Sequence, residues 1–212
     1  MRTALVLLVL AVLLWSGAHP ADRFTWVMEV FPVLIGLPIL LLTGRRFRFT
    51  TLVYALLAAH AVILMVGGRY TYAAVPLGFR MEEWFGFARN QYDRIGHFAQ
   101  GFVPAMAARE ILIRRSPLAG SRWLPFVVLA FCLALSASYE LIEWWTALAT
   151  GTAATAFLGT QGDPWDTQWD MCWALIGAAS ALVLLSRVHD RQLRRLDAAG
   201  RLERPAYPIP AQ

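Results

Sequence analysis

The sequence contains no lysine, so all 19 of its basic side chains are arginines. It is also poor in charge altogether. Charged residues occupy 16% of its 212 positions, where a soluble domain usually carries about 25%. Cysteine is nearly absent. Cys132 and Cys172 both lie inside apolar segments, which excludes an extracellular disulfide framework and leaves two small hydrophobes in a helical core. The His-Glu-x-x-His helix, the P-loop, the dinucleotide fingerprint and the Gly-x-Ser-x-Gly elbow are all missing, so the common zinc-protease, nucleotide-binding and serine-hydrolase classes have no support. A pI near 9.8 and a net charge of +5 could suit nucleic acid. The arginines, however, form short clusters between apolar runs, as in cytoplasmic loops, and we assign no nucleic-acid role.

What the chain does have is apolar length. Hydrophobic residues make up 58%, concentrated in six runs at about 3–17, 27–43, 50–66, 93–113, 123–149 and 167–187. About 20 residues cross a bilayer, and shorter runs cross with little tilt. The fold class is therefore all-α: a polytopic transmembrane helix bundle of about six transmembrane helices spanning residues 1–190, its first three segments short. Its setting is a lipid bilayer, which it crosses several times, and oligomeric state is open.

The first run has two readings. Arg2, an apolar stretch and Ser16-Gly17-Ala18 make residues 1–18 signal-like; Trp15, placed as an interfacial anchor, favours a retained helix. Orientation comes from the arginines. Arg2 precedes the first segment, Arg45, Arg46 and Arg48 follow the second, Arg114, Arg115 and Arg122 the fourth, and Arg187, Arg191, Arg194 and Arg195 the sixth. The positive-inside rule puts both termini in the cytoplasm. The outer loop at 67–92, with Arg69, Arg80 and Arg89 partly offset by Glu82 and Glu83, contains an interfacial helix rich in Trp84, Phe85 and Phe87. The end of the chain, polar from about 188 and with residues 191–212 a cytoplasmic tail carrying Pro205, Pro208 and Pro210, is expected to fray.

Three polar pairs interrupt the apolar helices. Asp93 and His97 are spaced i,i+4, Glu140 and Glu143 i,i+3, and Asp166 and Asp170 i,i+4, so each pair occupies one face of its helix. At 1.5 Å per residue, Asp93, His97, Asp166 and Asp170 lie within about 6 Å of their outer helix starts. Glu140 lies about 25 Å along a helix entering from the cytoplasm. All converge on one level near the outer face. Three helices offering two ligands each to a common interior is how bundle metal sites are built. Five carboxylates that Arg94 offsets only in part need a cation or retained protons.

We therefore expect Asp93, His97, Glu140, Asp166 and Asp170 to hold a divalent metal ion. Mixed His/carboxylate ligation suits Zn or Mn. Glu143 is a further ligand or the catalytic general base on a bound water. Asp93 and Asp166 also suit helix N-termini as plain dipole partners. Asp163, before Pro164, is expected to make a turn, His60 to sit in the core, and Glu110 to snorkel or pair locally beside Arg109 and Arg114. Trp84, Trp144, Trp145, Trp165 and Trp169 read as an interfacial aromatic belt.

The runs Asp93-Arg94-Ile95-Gly96-His97-Phe98, Tyr139-Glu140-Leu141-Ile142-Glu143-Trp144 and Gly162 to Met171 resemble the YjdF-like family of bacterial inner-membrane proteins, over about residues 50–190. The resemblance implies fold and location and brings no activity with it. A more distant similarity is to VanZ-like membrane proteins, whose opening Asp, His and Phe match Asp93, His97 and Phe98. Their Glu matches Glu140, and their later Asp and Gly match Asp170 and Gly177, whereas Arg94 and Glu143 replace the Lys and Gln of that pattern. The function expected first is a metal-dependent enzyme, a hydrolase or transferase, acting on a lipid or cell-envelope precursor. A proton- or cation-coupled transporter and a structural or accessory membrane subunit are the alternatives.

Overall fold

The computed structural model describes residues 2–151 and 155–198. Among them the secondary structure is entirely helical: α1 (Arg2–Ala18), α2 (Arg23–Thr43), α3 (Thr51–Tyr70), a 3-10 turn (Tyr72–Ala74), α4 (Pro76–Phe85), α5 (Tyr92–Arg115), α6 (Trp123–Thr150), α7 (Thr155–Leu158) and α8 (Asp166–Ala198). The six apolar runs coincide with α1, α2, α3, α5, α6 and α8. Four of these, α2, α3, α6 and α8, are long and apolar enough to cross a membrane; α1 is apolar but has 17 residues. The fourth run, α5, is a 24-residue helix with charges at both ends, and it is the most enclosed element of the bundle.

The helix ends follow local chemistry. Asp22 caps α2 by accepting from the Thr25 amide (2.6 Å), and Thr50 caps α3 through its hydroxyl. Gly86, in the left-handed region at φ 69°, ends α4, a conformation that costs a glycine no Cβ clash. The expected helix in the 67–92 connection is thus present. Its exposed Leu77, Phe79, Trp84 and Phe85 are the side chains that suit a membrane interface.

Two apolar cores share α3. One gathers Val9, Val30, Val33, Ala58 and Met65 from α1, α2 and α3. The other joins Val53 to α5, α6 and α8 through Ala105, Met106, Val128, Cys132 and Ala178. The α5–α8 crossing is the most extensive in the fold. It is close because Gly101 faces the Ala174 carbonyl and Gly177 faces the Phe98 carbonyl, where any Cβ would overlap backbone. Small residues permit such approach in membrane bundles.

Two expectations need correction here. The chain stays helical through Ala198, because Leu193 is buried and Gln192 accepts the Leu52 amide at 2.9 Å. Fraying from residue 188 is therefore overturned as far as Ala198, and the rest of the tail expected over 191–212, residues 199–212, falls outside the described residues. Glu110 does not snorkel. It is fully buried and accepts from the Thr50 amide (3.0 Å) and hydroxyl (2.8 Å), from Arg114 (2.7 Å) and from His189 Nε2 (3.0 Å). Arg109 donates to His189 Nδ1 (2.8 Å) and pairs with Asp190 (2.8 Å). This satisfied network ties the α2–α3 connection to α5 and α8. Only the local pairing of Glu110 with Arg114 was foreseen.

Candidate functional site

At the opposite end of the bundle from Glu110, the openings of α5 and α8 and the last turns of α6 meet. The connections are pinned first. Asn90 and Gln161 exchange backbone-to-amide hydrogen bonds at 3.0 Å in both directions, while Asn90 accepts from the Tyr92 amide (3.0 Å) and donates to the Val75 carbonyl (3.0 Å). This clamp joins the α4–α5 connection to the α7–α8 connection and sets Arg89 beside Asp163. Tyr72 lies between Gly67 and Gly96, neither of which has room for a Cβ. Burial pushes its phenol pKa well up, so it stays neutral beside the acids.

On this frame the acids divide into two groups. Arg94 spans Asp166 (2.7 Å), Asp163 (3.2 Å), Asp93 (3.4 Å) and Asp170. Arg89 adds Asp166 (2.8 Å) and Asp163 (3.3 Å). Both guanidinium groups are largely buried, and charge-assisted forks of this kind are strong. Asp163 makes the expected turn by accepting from the Trp165 amide (2.9 Å), and with its other oxygen it serves both arginines. Asp166, expected as a metal ligand, is held by both guanidinium groups.

The second group centres on His97. Its Nδ1 lies 3.1 Å from Gln100 Oε1. With Nδ1–H donating there, the Nε2 lone pair faces Asp93 (3.4 Å) and Asp170 (3.6 Å). Glu140 lies 4.0 Å from the other side of the ring. Ligand atoms of Asp93, His97 and Asp170 all fall within 4.8 Å of one another, and so do those of His97, Glu140 and Glu143. Glu140 is 8% exposed, yet its Oε1 is buried without a hydrogen-bond partner. A carboxylate oxygen in that state is costly unless something positive meets it.

Five of the six residues singled out in the sequence therefore converge: Asp93, His97, Glu140, Glu143 and Asp170. Asp166 stands at their edge. Glu29 on α2 was missed. It is 6% exposed and lines the same cavity as Asp93, His97 and Glu143. Its signal was an acid inside an apolar run, the same mark that drew attention to Glu140. Arg89 as a partner was also missed, because Asp163 and Asp166 come from more than 70 residues away. His60 lines the cavity, and its Nε2 is buried and unpartnered.

A bundle of apolar helices with an acid/His cluster at one end defines an integral membrane protein. The family model for predicted membrane proteins (DUF2238) matches residues 1–191, and the chain belongs to that family. It is 55% identical over 184 residues, 87% of this chain and 88% of the relative, to the inner membrane protein YjdF of Escherichia coli (strain K12). The chain is thus an inner-membrane protein of the YjdF kind. No solved structure matches it.

Proposed function

We propose that this protein is a metal-dependent membrane enzyme acting on a lipid or cell-envelope precursor. In this reading six helices span the membrane, both termini lie in the cytoplasm, and the acid cluster sits near the outer face. The observation that carries it is the pair of three-residue ligand sets sharing His97, one of them holding the unpartnered Glu140 oxygen. Asp93, His97 and Asp170 would hold one divalent ion, with Glu140 and Glu143 on the other side of the ring. The imidazole among carboxylates suits Zn or Mn. A bound ion of this kind supplies Lewis-acid polarisation and an acidified water. Gln100 fixes the His97 tautomer, Glu143 is placed to take a proton, and Arg89 and Arg94 hold the neighbouring aspartates in position.

A coupled transporter is the second reading, favoured by one observation. The cavity beside the cluster also reaches Arg2, Arg45 and Arg48. Between its ends it is walled mainly by apolar side chains, with His60 and Gln100 the polar exceptions, which suits ion passage poorly. Cation flux into proteoliposomes that stops with Glu140→Gln would decide for transport.

Elemental analysis of purified protein tests the first reading. Wild type is expected to retain Zn or Mn, and the His97→Ala/Glu140→Ala double variant to lose it. A metal-free wild type, or equal metal in both proteins, contradicts it.

A further inference from the structure

The cavity at the acid cluster has a shape that identifies its occupant. Its volume is about 540 Å³, within the range of roughly 300–1,000 Å³ common for ligand sites. It lies at the seam of the two cores, walled by Val9, Val33, Leu37, Leu57, Ala61 and Leu135. At one end stand Glu29, Asp93, His97 and Glu143, and at the other Arg45 and Arg48. From Glu29 to Arg45 along α2 is 16 residues, about 24 Å at 1.5 Å each.

Spreading 540 Å³ over about 24 Å leaves a mean section of about 22 Å² for the centre of a water-sized sphere; with the sphere's ~1.4 Å radius added the bore is about 8 Å wide, narrower than an α-helix about 10 Å across. A helix of another protein is too thick. A single hydrocarbon chain is not.

Access points the same way. At the acid end Phe157, 3% exposed, packs edge-on against Phe24 and Tyr139, and the Tyr139 hydroxyl donates to the Met28 carbonyl at 3.0 Å. These contacts roof the cavity between α2 and α6. At the acid end a water-soluble ligand would have to pass that aromatic cover, whereas a chain can enter from the bilayer along the apolar seam.

We infer that the cleft binds one hydrocarbon chain of a lipid phosphate, with the phosphate at the His97 cluster and the chain running between the cores toward Arg45. The head rests on the metal reading above, since bare carboxylates repel phosphate. The chain rests on the cleft alone.

The probe is hexadecyl phosphate carrying a diazirine at the far end of its chain, photolysed with the full-length, Mn-loaded protein in nanodiscs. Crosslinks are expected on cleft walls near Leu37 and Leu40. Gly36 lines the cleft, and a Cβ there meets nothing within 4 Å, so Gly36→Trp blocks the cleft without a clash at its root. Ala61→Phe does so from α3. Either is expected to cut crosslinking roughly tenfold, the cost of excluding about two methylenes, with metal content unchanged. Crosslinks that persist in both variants, that map to exposed faces, or that never form because a second copy of the chain fills the cleft overturn the proposal. Should wild type prove metal-free while a neutral hexadecanol analogue still crosslinks in the cleft, the phosphate assignment and the metal reading fail and the chain assignment stands.

Discussion

Arg94 touches four carboxylates from three stretches of chain, the α5 start, the α7–α8 connection and α8. Removing one partner of a buried ion network costs far more than the network contributes net, because the remaining charges stay desolvated. Arg94→Met is therefore expected to destabilise the protein by roughly 3–5 kcal/mol, read as a lowered thermal midpoint in detergent. Arg94→Lys, which keeps charge but loses the fork, is expected to cost less. An unchanged midpoint in Arg94→Met would mean that the aspartates have another counter-charge. Glu29→Gln tests the border of the ligand set. Its carboxyl stands outside both three-residue groups, so metal stoichiometry by elemental analysis should match wild type. Loss equal to that of Glu140→Gln would make Glu29 a ligand. At this scale the sequence disclosed Asp93, His97, Glu140, Glu143 and Asp170, because helical spacing and depth are arithmetic on one chain. It did not disclose that Asp166 would be taken by Arg89 and Arg94, since that depends on how a connection folds back.

Helix positions were legible because long apolar runs are the main requirement for crossing a bilayer. Helix contacts were not, and the α5–α8 crossing depends on them. Gly101 and Gly177 each meet carbonyl backbone of the opposite helix, so even a methyl must push the pair apart. Gly101→Ala and Gly177→Ala are each expected to cost about 1–3 kcal/mol by overpacking, seen in the same thermal assay. Since α5 carries His97 and α8 carries Asp170, widening this crossing should also weaken metal retention. A variant with full stability and full metal would contradict the close packing. At the other end, Glu110 and His189 were hidden for a different reason. His189 sits beyond the apolar run, in what reads as a polar tail, yet it is fully buried.

Across the described residues, polarity is divided between two ends, with most acids and tryptophans gathered at one and most arginines at the other. The positive-inside rule turns that division into an orientation. In a protein with Cys132→Ala and Cys172→Ser, Glu83→Cys on α4 is expected to react with a membrane-impermeant maleimide in intact cells. Ser121→Cys, between α5 and α6, should react only after permeabilisation. The reverse pattern would invert the assignment and place the cluster on the cytoplasmic side. Arginine clustering made the division between the two ends readable in the sequence, and the labelling tests which end faces the cytoplasm. The cleft between the cores was not, because it arises from how α2 and α6 separate below their contact at Tyr139 and Met28.

The most direct test of the metal site is anomalous diffraction at the Zn and Mn edges from crystals of the intact protein. The account predicts a peak about 2.0–2.2 Å from a His97 nitrogen with carboxylate oxygens of Asp93 and Asp170, or of Glu140 and Glu143, completing its shell. Ordered side chains in these positions with no peak at either edge would contradict it.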